Sequence, residues 1–147
     1  MLFRSLPRSR PGDNPYNMSF SGLKTAALNL IHHAEQVGEE VDVPGLCASF
    51  SAAVSDTLVP RVEMAMRQTG LRKIAVAGGV AANSRIRRDM TQAVQKLGGT
   101  LFLPPLSLCG DNAAMIGAQA YYEFLAGHRA DMTLNAYATK SILGEAL

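Results

Sequence analysis

Apolar positions recur at helical spacing in four stretches of this chain and as short continuous runs in two others. After the polar string Ser19–Phe20–Ser21–Gly22, residues Leu23, Ala26, Ala27, Leu30 and Ile31 fall on one helical face. The pattern predicts a helix to about Val37, with Ser19 or Ser21 as cap and Gly38 as its end. Residues 39–44 read as a polar loop closed by Pro44. A longer stripe follows over about 45–69, made of Leu46, Phe50, Ala53, Val54, Leu58, Val62 and Met66. Pro60 lies inside it and predicts a kink, and Gly70 predicts the stop. KIAVAGG at 73–79 reads as a buried strand running into two glycines, and TLFLP at 100–104 as a second strand stopped by Pro104–Pro105. Between them, about 83–97, Ile86, Met90, Val94 and Leu97 share one helical face. A last helix is expected from about Asn112 to Leu125, closed by Gly127.

The order is αα-β-α-β-α. It predicts an α/β fold with a small parallel sheet, because a strand-helix-strand crossover joins parallel strands. Residues 1–18 read as an irregular lead-in with a short strand near Leu2–Phe3, residues 19–127 as the folded part and 128–147 as a polar tail. Parallel sheets are normally covered on both faces. Two strands and four helices leave sheet edges open, and an open apolar edge invites pairing with another chain. The pattern is that of part of a larger α/β domain.

Composition narrows the class. With 147 residues, 48% of them hydrophobic and 18% charged, the chain has apolar content for about one domain and is neither disordered nor collagen-like. The sequence contains no apolar run of membrane-spanning length, and MLFRSLPRSRPGDNP has no signal-peptide core. The net charge of +2 permits nucleic-acid contact without arguing for it. Cys47 and Cys109 form no CxxC pair, which fits a reducing, cytoplasmic setting.

Four places carry candidate chemistry. In AVAGGVAANSR (75–85), Gly78 and Gly79 stand between a strand and a helix N-terminus, where backbone N–H groups favour anions. The string is neither of the two common glycine-rich phosphate motifs, so an ordinary β-α turn stays open beside an anion site. Asn83 can cap the helix or hydrogen-bond a ribose or base. In CGDNAAM (109–115), Asp111 is an N-cap or a metal ligand; alone it makes no metal site. His32 and His33, adjacent on a helix, point about 100° apart and cannot chelate jointly. GLKT at 22–25 lacks the upstream glycine of a phosphate loop, leaving Lys24 as a solvated lysine on a capped helix. Arg85, Arg87 and Arg88, with Arg4, Arg8 and Arg10, form either a solvated face or phosphate contacts without interleaved aromatics.

SFSGLKTA (19–26), VAGGVAANSRIR (76–87) and LCGDNAAMIG (108–117) occur together in one order and spacing. In these the chain resembles the C-terminal part of the tRNA N6-adenosine threonylcarbamoyltransferase family, formerly called glycoprotease or O-sialoglycoprotein endopeptidase. The likeness covers about residues 1–127. It implies an incomplete domain of the actin/Hsp70/sugar-kinase type (ASKHA), whose two α/β domains flank a nucleotide cleft. It implies transfer of threonylcarbamoyl from its adenylate to N6 of adenosine 37 in tRNAs reading ANN codons. Under it, Gly78 and Gly79 face the nucleotide (threonylcarbamoyl-AMP or an ATP-like molecule) and Asn83 hydrogen-bonds it. Asp111 becomes a ligand of one iron or zinc ion acting as a Lewis acid. Implied partners are tRNA and the paralogous and ATPase proteins of the modification complex.

The chain departs from the family in three ways. Members are about twice as long, a two-domain size. Their HxxxH pair, which supplies the other metal ligands, does not occur here. Gly110 stands where the family usually has Thr. The resemblance therefore implies a chain not competent alone, with an incomplete metal site. The competing reading is a non-catalytic half-protein that dimerises through its sheet edge or binds a partner. A metalloprotease would need an HExxH that is absent, and a small-molecule kinase of the same fold type lacks support from CGDNAAM.

Overall fold

The computed structural model describes residues 6–9 and 14–136. It comprises two compact units, one through Asp111 and one from Asn112 onward. The expected strand at Leu2–Phe3 lies outside the described residues, as do Arg4 and Arg10.

In the first unit, helix α1 spans Ser21–Val37 and helix α2 spans Val43–Thr69. Both end on glycines in the left-handed region, Gly38 at φ 70° and Gly70 at φ 74°, a conformation that costs glycine little. Two expectations about helix starts are corrected. The α1 N-cap is Phe20, without a side-chain cap bond; the Ser19 and Ser21 hydroxyls bond each other at 3.0 Å. Pro44 does not close a loop but sits in the first turn of α2, where its missing N–H costs nothing. Asp42 caps that helix, its carboxylate accepting from the Gly45 N–H at 3.0 Å. Pro60 removes the donor to the Asp56 carbonyl, yet α2 runs on as one helix to Thr69.

Helix α2, about 40 Å long at 1.5 Å per residue, serves two cores. Its first half packs Leu46, Phe50 and Ala53 with Leu6, Leu23 and Ile31. Its second half packs Leu58, Val62 and Met66 with Met90, Val94, Ile74 and Leu101. The stripe read from the sequence drifts about 40° around the helix at each four-residue step, and thus meets different neighbours at the two ends of α2. Strand β1, Lys73–Ala75, pairs in parallel with strand β2, Thr100–Phe102, with Ile74 opposite Leu101. Both strands are shorter than the apolar runs predicted. Gly78, at φ 88°, turns the chain soon after β1, and Pro104–Pro105 follow β2 without ladder donors. Helix α3, Ser84–Lys96, is the crossover; Ile86, Met90, Ala93 and Val94 are its buried face.

Gly99, just before β2, is fixed by packing. A Cβ there would lie 2.6 Å from Met66 Cε, 2.8 Å from the Arg72 carbonyl oxygen and 2.9 Å from Val94 Cγ1. The lead-in is bound to α2 by Arg61, whose guanidinium donates to the carbonyls of Asn17 (3.0 Å), Ser9 (3.1 Å) and Thr57 (2.7 Å). Tyr16 adds a hydroxyl bond to Gln68, and Arg8 an ion pair with Asp56 at 2.8 Å.

In the second unit, helix α4 spans Ala113–Leu125. Its cap is Asn112, which accepts from the Met115 N–H at 3.0 Å. None of its residues is buried; Ile116, Tyr121, Tyr122, Phe124 and Leu125 are all exposed. Gly127 follows at φ 81°.

Candidate functional site

Because β1 and β2 are parallel, the segments that follow them leave the same edge of the sheet. That C-terminal edge is where open α/β sheets bind ligands. Gly78 and Gly79 leave it after β1, and the segment 104–111, ending in Asp111, leaves it after β2.

Gly78, at φ 88° and ψ 170°, holds a backbone that only glycine adopts readily. From Gly79 to Ala82 the chain makes one 3-10 turn, closed by Ala81 N–H to the Gly78 carbonyl (2.9 Å) and Asn83 N–H to the Val80 carbonyl (3.1 Å). A Cβ on Gly79 would meet nothing within 4 Å, and its φ is not in the positive region. Neither packing nor backbone conformation therefore demands glycine at 79. The space on the Cβ side of Gly79 is therefore open where the chain enters the 3-10 turn. A Cβ on Gly110 would likewise meet nothing within 4 Å, and its φ is not in the positive region.

Asn83 is the α3 N-cap. Its Oδ1 accepts from the N–H groups of Arg85 (3.0 Å) and Ile86 (3.1 Å), and its Nδ2 donates to Ser51 Oγ on α2 at 3.2 Å. Both capping and bracing thus draw on this carboxamide, leaving one amide hydrogen for any ligand. Asp111 is exposed and does not cap α4, since Asn112 does. The capping alternative weighed for Asp111 from the sequence is thereby corrected. The neighbouring asparagine is the residue three positions before the Met115 N–H it receives.

The three arginines are not one solvated basic face. Arg85 and Arg88 both pair with Asp89, at 3.2 and 3.0 Å. Burial alone would push the Asp89 carboxyl up. The Ser55 hydroxyl (2.8 Å), the Arg88 hydrogen bond and the charges of Arg88 and Arg85 outweigh it, so Asp89 titrates below the usual carboxylate range. Arg87 turns inward: Nη1 donates to the Ala81 carbonyl at 2.8 Å and reaches Cys109 Sγ at 3.7 Å, while Nη2 donates to the Pro104 carbonyl at 3.0 Å. Sequence reasoning gave neither this role nor that of Ser51; both are contacts between elements distant in the chain. In GLKT, Leu23 is a core residue, Lys24 is exposed and Thr25 bonds back to the Ser21 carbonyl at 3.1 Å. That is the solvated-lysine alternative. His32 and His33 are exposed on α1.

A cavity of about 820 Å³ opens between α2, α3 and β1, lined chiefly by Phe20, Phe50, Val54, Leu58, Ile86 and Met90. Gly79 and Asn83 lie on its margin. Its polar side chains, Ser51 and Asn83, bond each other. The cavity is therefore an apolar face rather than a phosphate site, and the glycine turn lies at its rim. Among the described residues no group of three or more His, Cys, Asp or Glu side chains could hold a metal ion. The described residues do not fit an iron or zinc centre by themselves.

The fold and this edge define a parallel α/β unit in which a glycine turn and a carboxylate-bearing loop emerge side by side. The family model for tRNA N6-adenosine threonylcarbamoyltransferase (TsaD) matches residues 4–118. Curated relatives agree. The tRNA N6-adenosine threonylcarbamoyltransferase of Lactobacillus delbrueckii subsp. bulgaricus is 48% identical over 132 residues, covering 88% of this chain and 38% of the relative. That of Moorella thermoacetica is 48% identical over 130 residues, with the same shares covered. That of Geobacillus thermodenitrificans is 46% identical over 132 residues, covering 89% of this chain and 39% of the relative. The chain belongs to the tRNA N6-adenosine threonylcarbamoyltransferase family. It spans about two fifths of the length of these relatives.

Proposed function

We propose that this chain is the C-terminal part of an acyltransferase that moves threonylcarbamoyl from its adenylate to N6 of adenosine 37 in tRNAs reading ANN codons. Its fold is then an incomplete actin/Hsp70/sugar-kinase-like domain working in the cytoplasm with tRNA and with paralogous and ATPase partners. The observation that carries the reading is the turn at Gly78–Gly79, open to approach at the C-terminal edge of a parallel sheet in a chain of this family. In this reading the turn's N–H groups hold the adenylate phosphate, and the spare Asn83 amide hydrogen meets the nucleoside. Asp111 contributes one carboxylate to a metal centre whose other ligands lie in another polypeptide segment. An iron or zinc ion bound there would polarise the acyl carbonyl. No step of the transfer is assigned to the chain alone, because its described residues do not hold the ion.

The test is titration of AMP into the whole chain, followed by amide NMR. Shifts confined to residues 78–83 are expected, and Gly79→Val should abolish them while far-UV circular dichroism stays unchanged. Silence of those amides in the unsubstituted chain would overturn the nucleotide reading. Incubated with threonylcarbamoyl adenylate and tRNA, the chain alone should leave the tRNA unmodified.

A second reading, a non-catalytic interaction or dimerisation module, is favoured by the exposed apolar side chains of Phe102 on β2 and of α4. A concentration-dependent rise in mass by light scattering, without any response to AMP, would move it to first place.

A further inference from the structure

Arg87 touches both segments that emerge at the ligand edge, and we infer that it is a positioning residue that fixes the Asp111 loop against the glycine turn. The inference rests on the proposed nucleotide reading for its purpose, though not for its geometry. One arm of the guanidinium takes the carbonyl of Ala81, inside the 3-10 turn that begins at Gly79. The other takes the carbonyl of Pro104, two residues past the end of β2.

The loop after Pro104 is tied together by its own hydrogen bonds. The Leu108 N–H donates to the Pro105 carbonyl at 2.9 Å and the Cys109 N–H to the Leu106 carbonyl at 3.3 Å. The Cys109 thiol, 4% exposed, reaches the Pro105 carbonyl at 3.5 Å and lies 3.7 Å from Arg87 Nη1. Asp111 is two residues further on. The Arg87 side chain, carried on α3, thus bridges the turn at Gly79 and the loop ending in Asp111, beyond the sheet pairing in which the Val76 N–H donates to the Phe102 carbonyl at 3.0 Å.

Arginine is suited to this work. Its planar fork spans two carbonyls at once, whereas a lysine ammonium is a compact point charge on a flexible stem. Among the described residues no carboxylate ion-pairs with Arg87. The guanidinium is therefore not committed to a salt bridge, and its hydrogen bonds are spent on main-chain carbonyls of the two loops.

The test uses Arg87→Lys and Arg87→Met in the whole chain, with Arg88→Lys as an exposed neighbouring control. Cys109 reports on the loop and exposed Cys47 is the internal reference. Maleimide labelling of Cys109 relative to Cys47 should rise about tenfold in both Arg87 variants, as expected when a local contact rather than the fold is released. Far-UV circular dichroism should be unchanged. In the same ligand-free samples the amide resonances of Gly110 and Asp111 should move. Unchanged Cys109 labelling with unmoved Gly110 and Asp111 amides would overturn the inference, as would an equal effect from Arg88→Lys. If Arg87→Met unfolds, Arg87→Lys, which keeps the charge and the stem, decides by the same two readouts.

A coupling measurement separates positioning from mere support. AMP added to the unsubstituted chain should slow Cys109 labelling, because binding at the turn and order in the loop are linked reciprocally. In Arg87→Lys, AMP should still shift the 78–83 amides but no longer protect Cys109. If AMP shifts no amides even in the unsubstituted chain, the nucleotide reading falls while the ligand-free arms still judge Arg87. If AMP binds and protects Cys109 equally in both chains, the positioning role is overturned and the nucleotide reading stands.

Discussion

Replacing Arg61 with methionine should cost this protein more than any surface charge change. The side chain is only 8% exposed and makes three hydrogen bonds to main-chain carbonyls. A charged hydrogen bond contributes about 1.5–3 kcal/mol net. The bond to Thr57 adds least, because that carbonyl already accepts the Arg61 N–H within α2. The bonds to Asn17 and Ser9 are different: they tie the lead-in to the helix. Two such bonds suggest about 3–6 kcal/mol. Relief of the desolvation of a buried cation offsets part of that, and methionine keeps much of the apolar stem. The expected loss is therefore about 2–4 kcal/mol. The assay is urea unfolding followed by far-UV circular dichroism, with limited trypsin digestion reporting cleavage after Arg8. The variant should show a lower midpoint at unchanged slope and faster cleavage after Arg8. Arg8→Ala should cost under about 1 kcal/mol, because the Arg8–Asp56 pair has both side chains 40% or more exposed. A loss below about 0.5 kcal/mol for Arg61→Met, the range of ordinary surface changes, would refute the claim that Arg61 binds the lead-in.

Gly99→Ala should destabilise by about 1–3 kcal/mol, since the added methyl meets the Arg72 carbonyl as well as two core side chains; denaturant midpoints check it. Asn83→Ala should lose about 1 kcal/mol of capping and free α3 from its brace on Ser51, whereas Asn83→Asp should keep most of the cap. The Asp89 carboxyl titrates lower in the folded chain than its ordinary 3.8. Its contribution is therefore complete above that value and lost as pH falls through the lower, folded one. Asp89→Asn should accordingly be less stable than the unsubstituted chain at neutral pH, with the difference shrinking in acid. Equal differences at neutral and acid pH would contradict this assignment.

How much was legible in the sequence follows from which interactions are local. Helical stripes such as Leu46–Met66 and Ile86–Leu97 were readable because burial on one face of a helix imposes its own spacing on the chain. The glycine stops at 38, 70 and 127 were readable because few other residues accept positive φ. The family itself was readable because three motifs occur together in one order. What the local pattern left open were choices between neighbours and between partners. Asn112 rather than Asp111 caps α4, because caps depend on main-chain angles that two adjacent polar residues compete to satisfy, and Phe20 begins α1 while the hydroxyls of Ser19 and Ser21 bond each other. The bond of Arg87 to Pro104 and two of the three carbonyls around Arg61 required segments from 17 to 52 positions away. A charged side chain has no periodicity that says whether it meets water or a distant carbonyl. Gly99 carries no local mark of its role, because the groups that crowd it, Met66 Cε and the Arg72 carbonyl, come from elsewhere in the chain. The sequence by itself therefore determined the elements, their order and the family. The tertiary structure alone decided which polar groups are spent on holding the fold and that Gly79 has open space beside it at the C-terminal edge of the sheet. Satisfaction of polar groups is a property of what surrounds them in space, and only the folded chain supplies those surroundings.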